Sequence, residues 1–443
     1  MKLNPINEKG YKLLHDGALA LGVAEQNGIR IDVHHLEKTY QKLEAEEKRF
    51  EKKILKSKGG KLWKKTYGDS LRFGGLEQLR FVLRECYGID VKGTLDKGVL
   101  GKIDNPFVKD ILELRKLVKA KSTYVLGILN EVIDGYIYPN FNLHTTVTYR
   151  SSSSSPNFQN IPVRDPWVSE LVRSAFIPRK GNRIVEADYS GIEVRVAACY
   201  HKDPTMLQYL NTNYDMHKEM AAEVYKIPLK LVTKQIRNIV KNKFVFPMFY
   251  GSYHKLIALD LWEAVTEQTI ETSDGKNLLS ELKYQKIRTF SSFLEHIKRI
   301  EDKFWFDRFP VYQNWRTEWW ETYQKKFYFD TYTGFSCRGY MKKNEVINFP
   351  IQGSAFHCLL WSFINLTKAL RKRKMKTKLI GQIHDSIVAD VPENEFEEYI
   401  DILTEISTKK IREYWDWIIL PLEIEIEASD VNESWFNKKV IHR

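Results

Sequence analysis

The chain has 443 residues, room for about three domains, and its 43% hydrophobic and 13% aromatic content supports a large core, which excludes a disordered protein. No apolar run reaches the ~18 residues of a membrane span, and the N-terminus MKLNPINEKGYK has no signal-peptide core, so neither membrane insertion nor secretion is expected. Cys86, Cys199, Cys337 and Cys358 lie far apart with no C-x-x-C pair, which argues against a disulfide framework or cysteine zinc site and fits a reducing cytoplasm, while a net charge of +12 suits a polyanionic partner.

Residues 36–56 have helical spacing with no breaker until Gly59-Gly60, and GLEQLRFVLREC and NPFVKDILELRKLVKAKSTYVLGILNEVI extend a mostly helical first 135 residues. This region carries the charge: residues 51–130 hold 18 basic and 9 acidic side chains, nine of the twelve net positive charges. The densest part, EKKILKSKGGKLWKK, reads either as a solvated hairpin tip or as a projection gripping phosphates through Lys52, Lys53, Lys56, Lys58, Lys61, Lys64 and Lys65. TTVTYR then reads as a strand, SSSSSPNFQNIPVRDP as a loop, RIVEADYS as a strand and GIEVRVAACY as a helix. Residues 215–335 are largely helical and rich in aromatics. RKRKMKTK, which resembles a nuclear-localisation string, reads better as the basic end of a helix. The tail is LIGQIHDSIVADV (strand), ENEFEEYIDILTEISTKKIREYW (helix) and LPLEIEIEAS (strand). The pattern is α+β, an antiparallel sheet with two helical insertions.

Two acids interrupt apolar strands. Asp188 ends RIVEADYS, and Asp385 lies in QIHDSIVADV at an expected hairpin tip. Such a pair can hold divalent cations for an in-line phosphoryl transfer, or Asp188 can cap the next helix and Asp385 a turn. QIRNIVKNKFVFPMFYGS, residues 235–252, sets Arg237, Lys241 and Lys243 ahead of Phe244, Phe246, Phe249 and Tyr250 with no acid among them. Cations for a triphosphate and aromatics for a base are one reading, a core helix with a basic outer face the other.

Together these segments resemble the family A (bacterial polymerase-I-like) DNA polymerases, especially bacteriophage forms, over the polymerase region only. DYSGIEVRVAA resembles D-Y-S-x-I-E-x-R, QIRNIVKNKFVFPMFYGS resembles R-x-x-x-K followed by F-x-x-x-Y-G, and IHDSIVADVP resembles H-D-E with apolar residues after it. TYRSSSSSPNFQNIPVR, INFPIQGSAFH and LRKLVKAKSTYV match supporting segments, all in the family's order from about residue 14 onward.

The resemblance implies a right-hand architecture: an N-terminal palm segment over residues 1–35, thumb over 36–122, palm over 123–200, fingers over 201–340 and palm again over 341–443. It implies that Asp188, Asp385 and the Tyr189 carbonyl ligate two Mg²⁺, with Mn²⁺ able to substitute. Arg237, Lys241 and His217 would bind the incoming dNTP, Lys241 protonating the pyrophosphate. Phe246 and Tyr250 would flank the nascent base pair, and Glu193 would be the steric gate against a ribose 2′-OH. Arg150, Gln159, Asn160, Asn348, Gln352 and His384 would touch primer-template DNA near the primer terminus, and Arg195 would be a structural ion-pair partner. The implied protein is a cytoplasmic monomer, in the host cytoplasm if phage-encoded. Its function would be DNA-templated DNA synthesis. A single-subunit RNA polymerase-like enzyme and an inactive duplex-binding replication subunit are the alternatives.

Departures from the pattern carry expectations of their own. Ser386 stands where the family has Glu, which predicts activity with an altered metal preference. Lys241 and Tyr250 are nine residues apart where the family has eight, a rotation of about 100° on an α-helix. A π-bulge between them, with Pro247 contributing, would absorb the extra residue; alternatively Lys243 takes the lysine's role. Tyr149 and Gly191 replace a usual Gly and Gln, and Asn344 a usual Arg, which puts one duplex contact in doubt. Only ~35 residues precede the thumb-like helices, so no 3′–5′ exonuclease domain and no proofreading are expected in this chain. Proofreading then falls to a separate exonuclease, or the chain is a fragment; helicase-primase and a processivity factor are further candidate partners. Residues 255–300 match poorly and are expected to decorate the surface or to contact template or a partner.

Overall fold

The computed structural model describes residues 4–212 and 214–442. Apolar alternation in the expected strands builds a five-stranded antiparallel sheet. Its members are β1 (Asn182–Tyr189), β2 (Lys378–Ile383), β3 (Ser386–Pro392), β4 (Ile424–Ala428) and β5 (Lys439–Val440), in the order β5-β4-β1-β3-β2. β3 is buried along its whole length. On β1, Val185, Ala187 and Tyr189 pack inward, and the period of two turns Glu186 and Asp188 to the opposite face. The register sets Asp188 opposite Ser386 on β3 and opposite Glu425 on β4.

Three hydrophobic cores organise the chain. The largest joins the sheet to the helices Glu8–Asn27, Ile192–His201 and Lys343–Lys372. The last of these ends in Arg371 and Lys372, the basic terminus read from RKRKMKTK. A second core lies between residues 198 and 312, with Leu420 added. Buried Asp203 ties two of its elements together. Asp203 caps the helix Pro204–Asn211 through Oδ1, while Oδ2 accepts from the backbone N–H groups of Val311 and Tyr312. A third, small core gathers Ile54, Trp63, Leu79, Leu83, Phe107 and Ile111 beneath the basic helices.

The structure differs from the sequence reading at three places. Gly59-Gly60 does not separate the helices; Ser57 does. Extended at φ −68° and ψ 164°, it ends Val33–Lys56, and its hydroxyl accepts the Gly60 N–H to start Lys58–Tyr67. The glycines sit in that first turn because it is tightly packed: a Cβ on Gly59 would meet the Tyr87 and Phe107 rings, and one on Gly60 would overlap the Ile54 carbonyl. Gly60→Ala is therefore expected to cost about 1–3 kcal/mol. Thermal unfolding would read this as a lowered midpoint, and an unchanged midpoint would contradict it.

TTVTYR is a turn, not a strand. Tyr149 adopts φ 62°, which swings its ring into the core against Phe335 and lets its hydroxyl donate to the Ser336 carbonyl. The strand falls instead in the serines, Ser152–Ser154, paired with Asn140–Asn142. Residues 255–300 are more than decoration. Ile257, Leu261, Val265, Phe293 and Ile297 from this stretch build the second core. Among the described residues no helix is long and apolar enough to cross a membrane, and no cysteine is in a disulfide.

Candidate active site

The two strand acids meet at one end of the sheet. β2 and β3 are joined by the two-residue turn His384-Asp385, and His384 takes φ 48°, the left-handed geometry that tight hairpins require. The Tyr189 N–H donates to the Asp385 carbonyl at 3.1 Å, which docks the hairpin tip against the end of β1. Asp188 does not cap the following helix: that position is Gly191, with φ 60°. The Tyr189 side chain turns into the core, its hydroxyl shared with Ser362 and the Ser407 carbonyl, so only its backbone can serve the acidic end.

The electrostatics here are unbalanced. Desolvation, then Asp385, Glu186 and Glu425, push the Asp188 carboxyl up to about 7. Burial also raises Asp385, against the opposing charges of Arg150 and His384. Glu186 behaves differently. Its desolvation is outweighed by Lys438, which ion-pairs with it and with Glu427, and by the Trp435 indole N–H at 2.8 Å. Carboxylate and carbonyl oxygens with no lysine of their own suit a hard cation such as Mg²⁺. Among the described residues no three His, Cys, Asp or Glu side chains form a ready-made cage.

Across a cavity of about 350 Å³ stands the 234–249 helix. Thr233 caps it, and it runs as α-helix over Lys234–Val240, π-helix over Lys241–Val245 and α-helix over Phe246–Phe249. The expected bulge is present and starts at Lys241. It leaves Arg237, Lys241 and Phe246 near one another: Lys241 Nζ lies 5.2 Å from the Phe246 ring centre, and His217 meets that ring edge-on. Burial, with Arg237 and Lys241 nearby, pushes His217 down to about 4, so it is neutral at pH 7. Lys243 faces elsewhere, into a shallow cleft with Asn238, Asn242 and Gln268.

The cavity is lined by Arg150, Glu193, Phe246, Tyr250, Asn348, His384 and Asp385. Arg150 ion-pairs with Glu193, which also accepts the Tyr250 hydroxyl, and Asn348 Nδ2 donates to the Tyr250 carbonyl at 3.3 Å. Gln159 reaches this group indirectly: it donates to Gln382, which donates to the His384 carbonyl. Gln352 is half-buried and Asn160 exposed, neither in this network. Arg195 makes the expected structural pair, 2.8 Å from Glu423. Asn344 donates to the Gly251 carbonyl, a backbone contact in place of the duplex contact in doubt.

The basic lysines lie on the third core, outside the cavity. All seven are exposed; Lys53 pairs with Asp110, and Lys58 points at the Cys86 carbonyl. Sequence reasoning missed Asp215, which holds the Arg237 guanidinium at 2.9 Å and is itself kept acidic by that contact in spite of its desolvation. It also missed Glu186, Glu425, Glu427 and Lys438. The alternation EIEIE was the available signal, but it does not say which strand lies next door.

Residues 33–435 match the family model for DNA polymerase family A. The chain is 30% identical to DNA polymerase I of Lactococcus lactis subsp. lactis over 84% of its own length and 40% of the relative's. It is 26% identical to DNA polymerase I of Bacillus subtilis (95% and 45%) and 27% identical to the thermostable DNA polymerase I of Thermus thermophilus (94% and 46%). The chain thus spans less than half the length of these relatives. Among solved structures it is similar to the POL domain of Pol1 from M. smegmatis in complex with DNA primer-template and dNTP, at a TM-score of 0.75 and 22% identity, over 96% of this chain and 70% of that one.

Proposed function

The chain belongs to DNA polymerase family A, and from that we propose that it is a DNA-templated DNA polymerase, extending a primer 3′-OH with dNTPs and releasing pyrophosphate. One observation carries the reading: Asp188 and Asp385, neither with a lysine of its own, meet at the sheet end beside a cavity lined by Asp385 and Phe246, and the π turn of the facing helix sets Lys241 beside Phe246 with Arg237 close by. In this reading the sheet and the 343–372 helix are the palm, residues 201–340 the fingers and 36–122 the thumb.

Asp188 and Asp385, with the Tyr189 carbonyl, would hold two Mg²⁺, or Mn²⁺ in their place. Bound there, the ions supply positive charge that activates the primer hydroxyl and neutralises the transferring phosphate. The chain's own part is positioning. Arg237 exchanges Asp215 for a phosphate oxygen, a charge-assisted contact of the same geometry. Lys241 stands next to it as the proton donor to departing pyrophosphate. Tyr250 and Phe246 pack the new base pair, and Arg150, Asn348 and His384 line the floor beneath the primer end. Exposed lysines of the thumb follow the duplex backbone. A bacteriophage setting is supported by the sequence resemblance alone.

Primer extension with dNTPs, NTPs or no nucleotide tests the reading. Elongation with dNTPs only, and no shortening without nucleotide, is the expected result. Salt-sensitive duplex binding without elongation would favour a binding subunit instead. The family resemblance makes Glu193 the expected sugar gate, and its place in the cavity lining between Arg150 and Tyr250 supports this. Glu193→Ala should raise the NTP-to-dNTP ratio of kcat/KM by about 10- to 100-fold. A ratio unchanged from wild type would remove Glu193 from that role.

A further inference from the structure

The face of the sheet that carries Asp188 holds more acid than the two aspartates. Glu186, Glu425 and Glu427 lie on the same side of β1 and β4. Lys438 pairs with Glu186 and Glu427 and so neutralises the far part of the face. Nothing does this for Glu425. It is exposed, it stands directly opposite Asp188, and no side chain among the described residues hydrogen-bonds or ion-pairs with it. Directly opposed residues on antiparallel strands have Cβ atoms about 5 Å apart, so the two carboxylates share one volume of solvent. On its other side Asp188 faces Ser386, which is uncharged, 2% exposed and committed to Glu186 and the Ile383 carbonyl. Of the two residues directly opposite Asp188 in the sheet, only the one on β4 is an acid.

We propose that Glu425 is the third carboxylate of the cation site, acting on the ion at Asp188 through a metal-bound water. The inference rests on the two-cation reading above. Glu425 contributes charge and a hydrogen-bond acceptor: it positions the hydrated ion and leaves direct ligation to Asp188 and Asp385. At a separation of roughly 7 Å in a water-like dielectric, one such charge changes the affinity for a divalent ion by about 5- to 10-fold.

The test is Mn²⁺ binding, read as free Mn²⁺ by electron paramagnetic resonance. The sample is the chain with primer-template ending in a 3′-deoxynucleotide and the matched dNTP. Glu425→Gln, an exposed isosteric change, should raise the Mn²⁺ Kd by about 5- to 10-fold, and Glu425→Asp by no more than about twofold. If Glu425→Gln binds Mn²⁺ like wild type while Asp188→Asn loses binding, Glu425 has no such role and the two-cation reading survives. If Asp188→Asn also binds like wild type, the two-cation reading itself fails.

Discussion

Asp188→Ala and Asp385→Ala are each expected to lower the rate of nucleotide addition by about 10³-fold or more, with primer-template binding kept within a few-fold. The two acids sit where the β2–β3 turn docks on the end of β1, and neither has a lysine of its own. They are a poor investment for the fold alone, because burial and mutual repulsion disfavour their charged forms. The sign of the stability effect follows. The folded-state value of Asp188, about 7, lies above its unfolded value near 3.8. Its presence costs nothing below about pH 4; the cost builds between pH 4 and 7, where only the unfolded chain is ionised, and is full and constant above about 7. Asp188→Asn should therefore be more stable than wild type at pH 8 in the absence of divalent ions, by on the order of 1 kcal/mol once solvent screening of this partly desolvated, partly solvent-facing carboxylate is allowed for, and equally stable at pH 4. Loss of activity with a gain in thermal midpoint is the signature of a site built for a cation. Loss of both would point to a structural role.

Lys241→Ala should lower kcat/KM for dNTP by about 10²- to 10³-fold, and Lys243→Ala by less than about threefold. By counting residues alone the two lysines compete for one role. The π turn resolves this physically. A single wide turn inserts one residue without rotating the rest of the helix by about 100°. Lys241 thereby stays with Arg237, His217 and Phe246, the last of which lines the cavity. Lys243 is carried to the opposite cleft with Asn238 and Asn242. Single-turnover kinetics on both variants separates the assignments: a normal Lys241→Ala beside a defective Lys243→Ala would exchange them.

What was legible in the sequence was local. An acid ending an apolar strand marks Asp188, and an acid between two apolar runs marks Asp385. One surplus residue between Lys241 and Tyr250 is enough to call for a bulge. Helix caps at Asp32, Asn105 and Thr233 agree with the helical spacing that follows them. What was not legible depends on partners distant in the chain. TTVTYR has strand-like side chains, but Tyr149 finds its hydrogen bond at Ser336, and that contact bends the backbone. Glu425 reads as one tooth of an amphipathic strand until the register places it opposite Asp188. The glycines at 59 and 60 look like a loop because their real constraints, the Tyr87 and Phe107 rings for Gly59 and the end of the preceding helix for Gly60, are matters of packing.

The most direct test of the central claim is single-nucleotide incorporation opposite each of the four template bases in Mg²⁺, with wild type and Asp188→Ala side by side. The account predicts that wild type adds only the complementary deoxynucleotide, one per template position, and that the variant adds none on the same timescale. Addition without regard to the template base, or undiminished addition by Asp188→Ala, would contradict it.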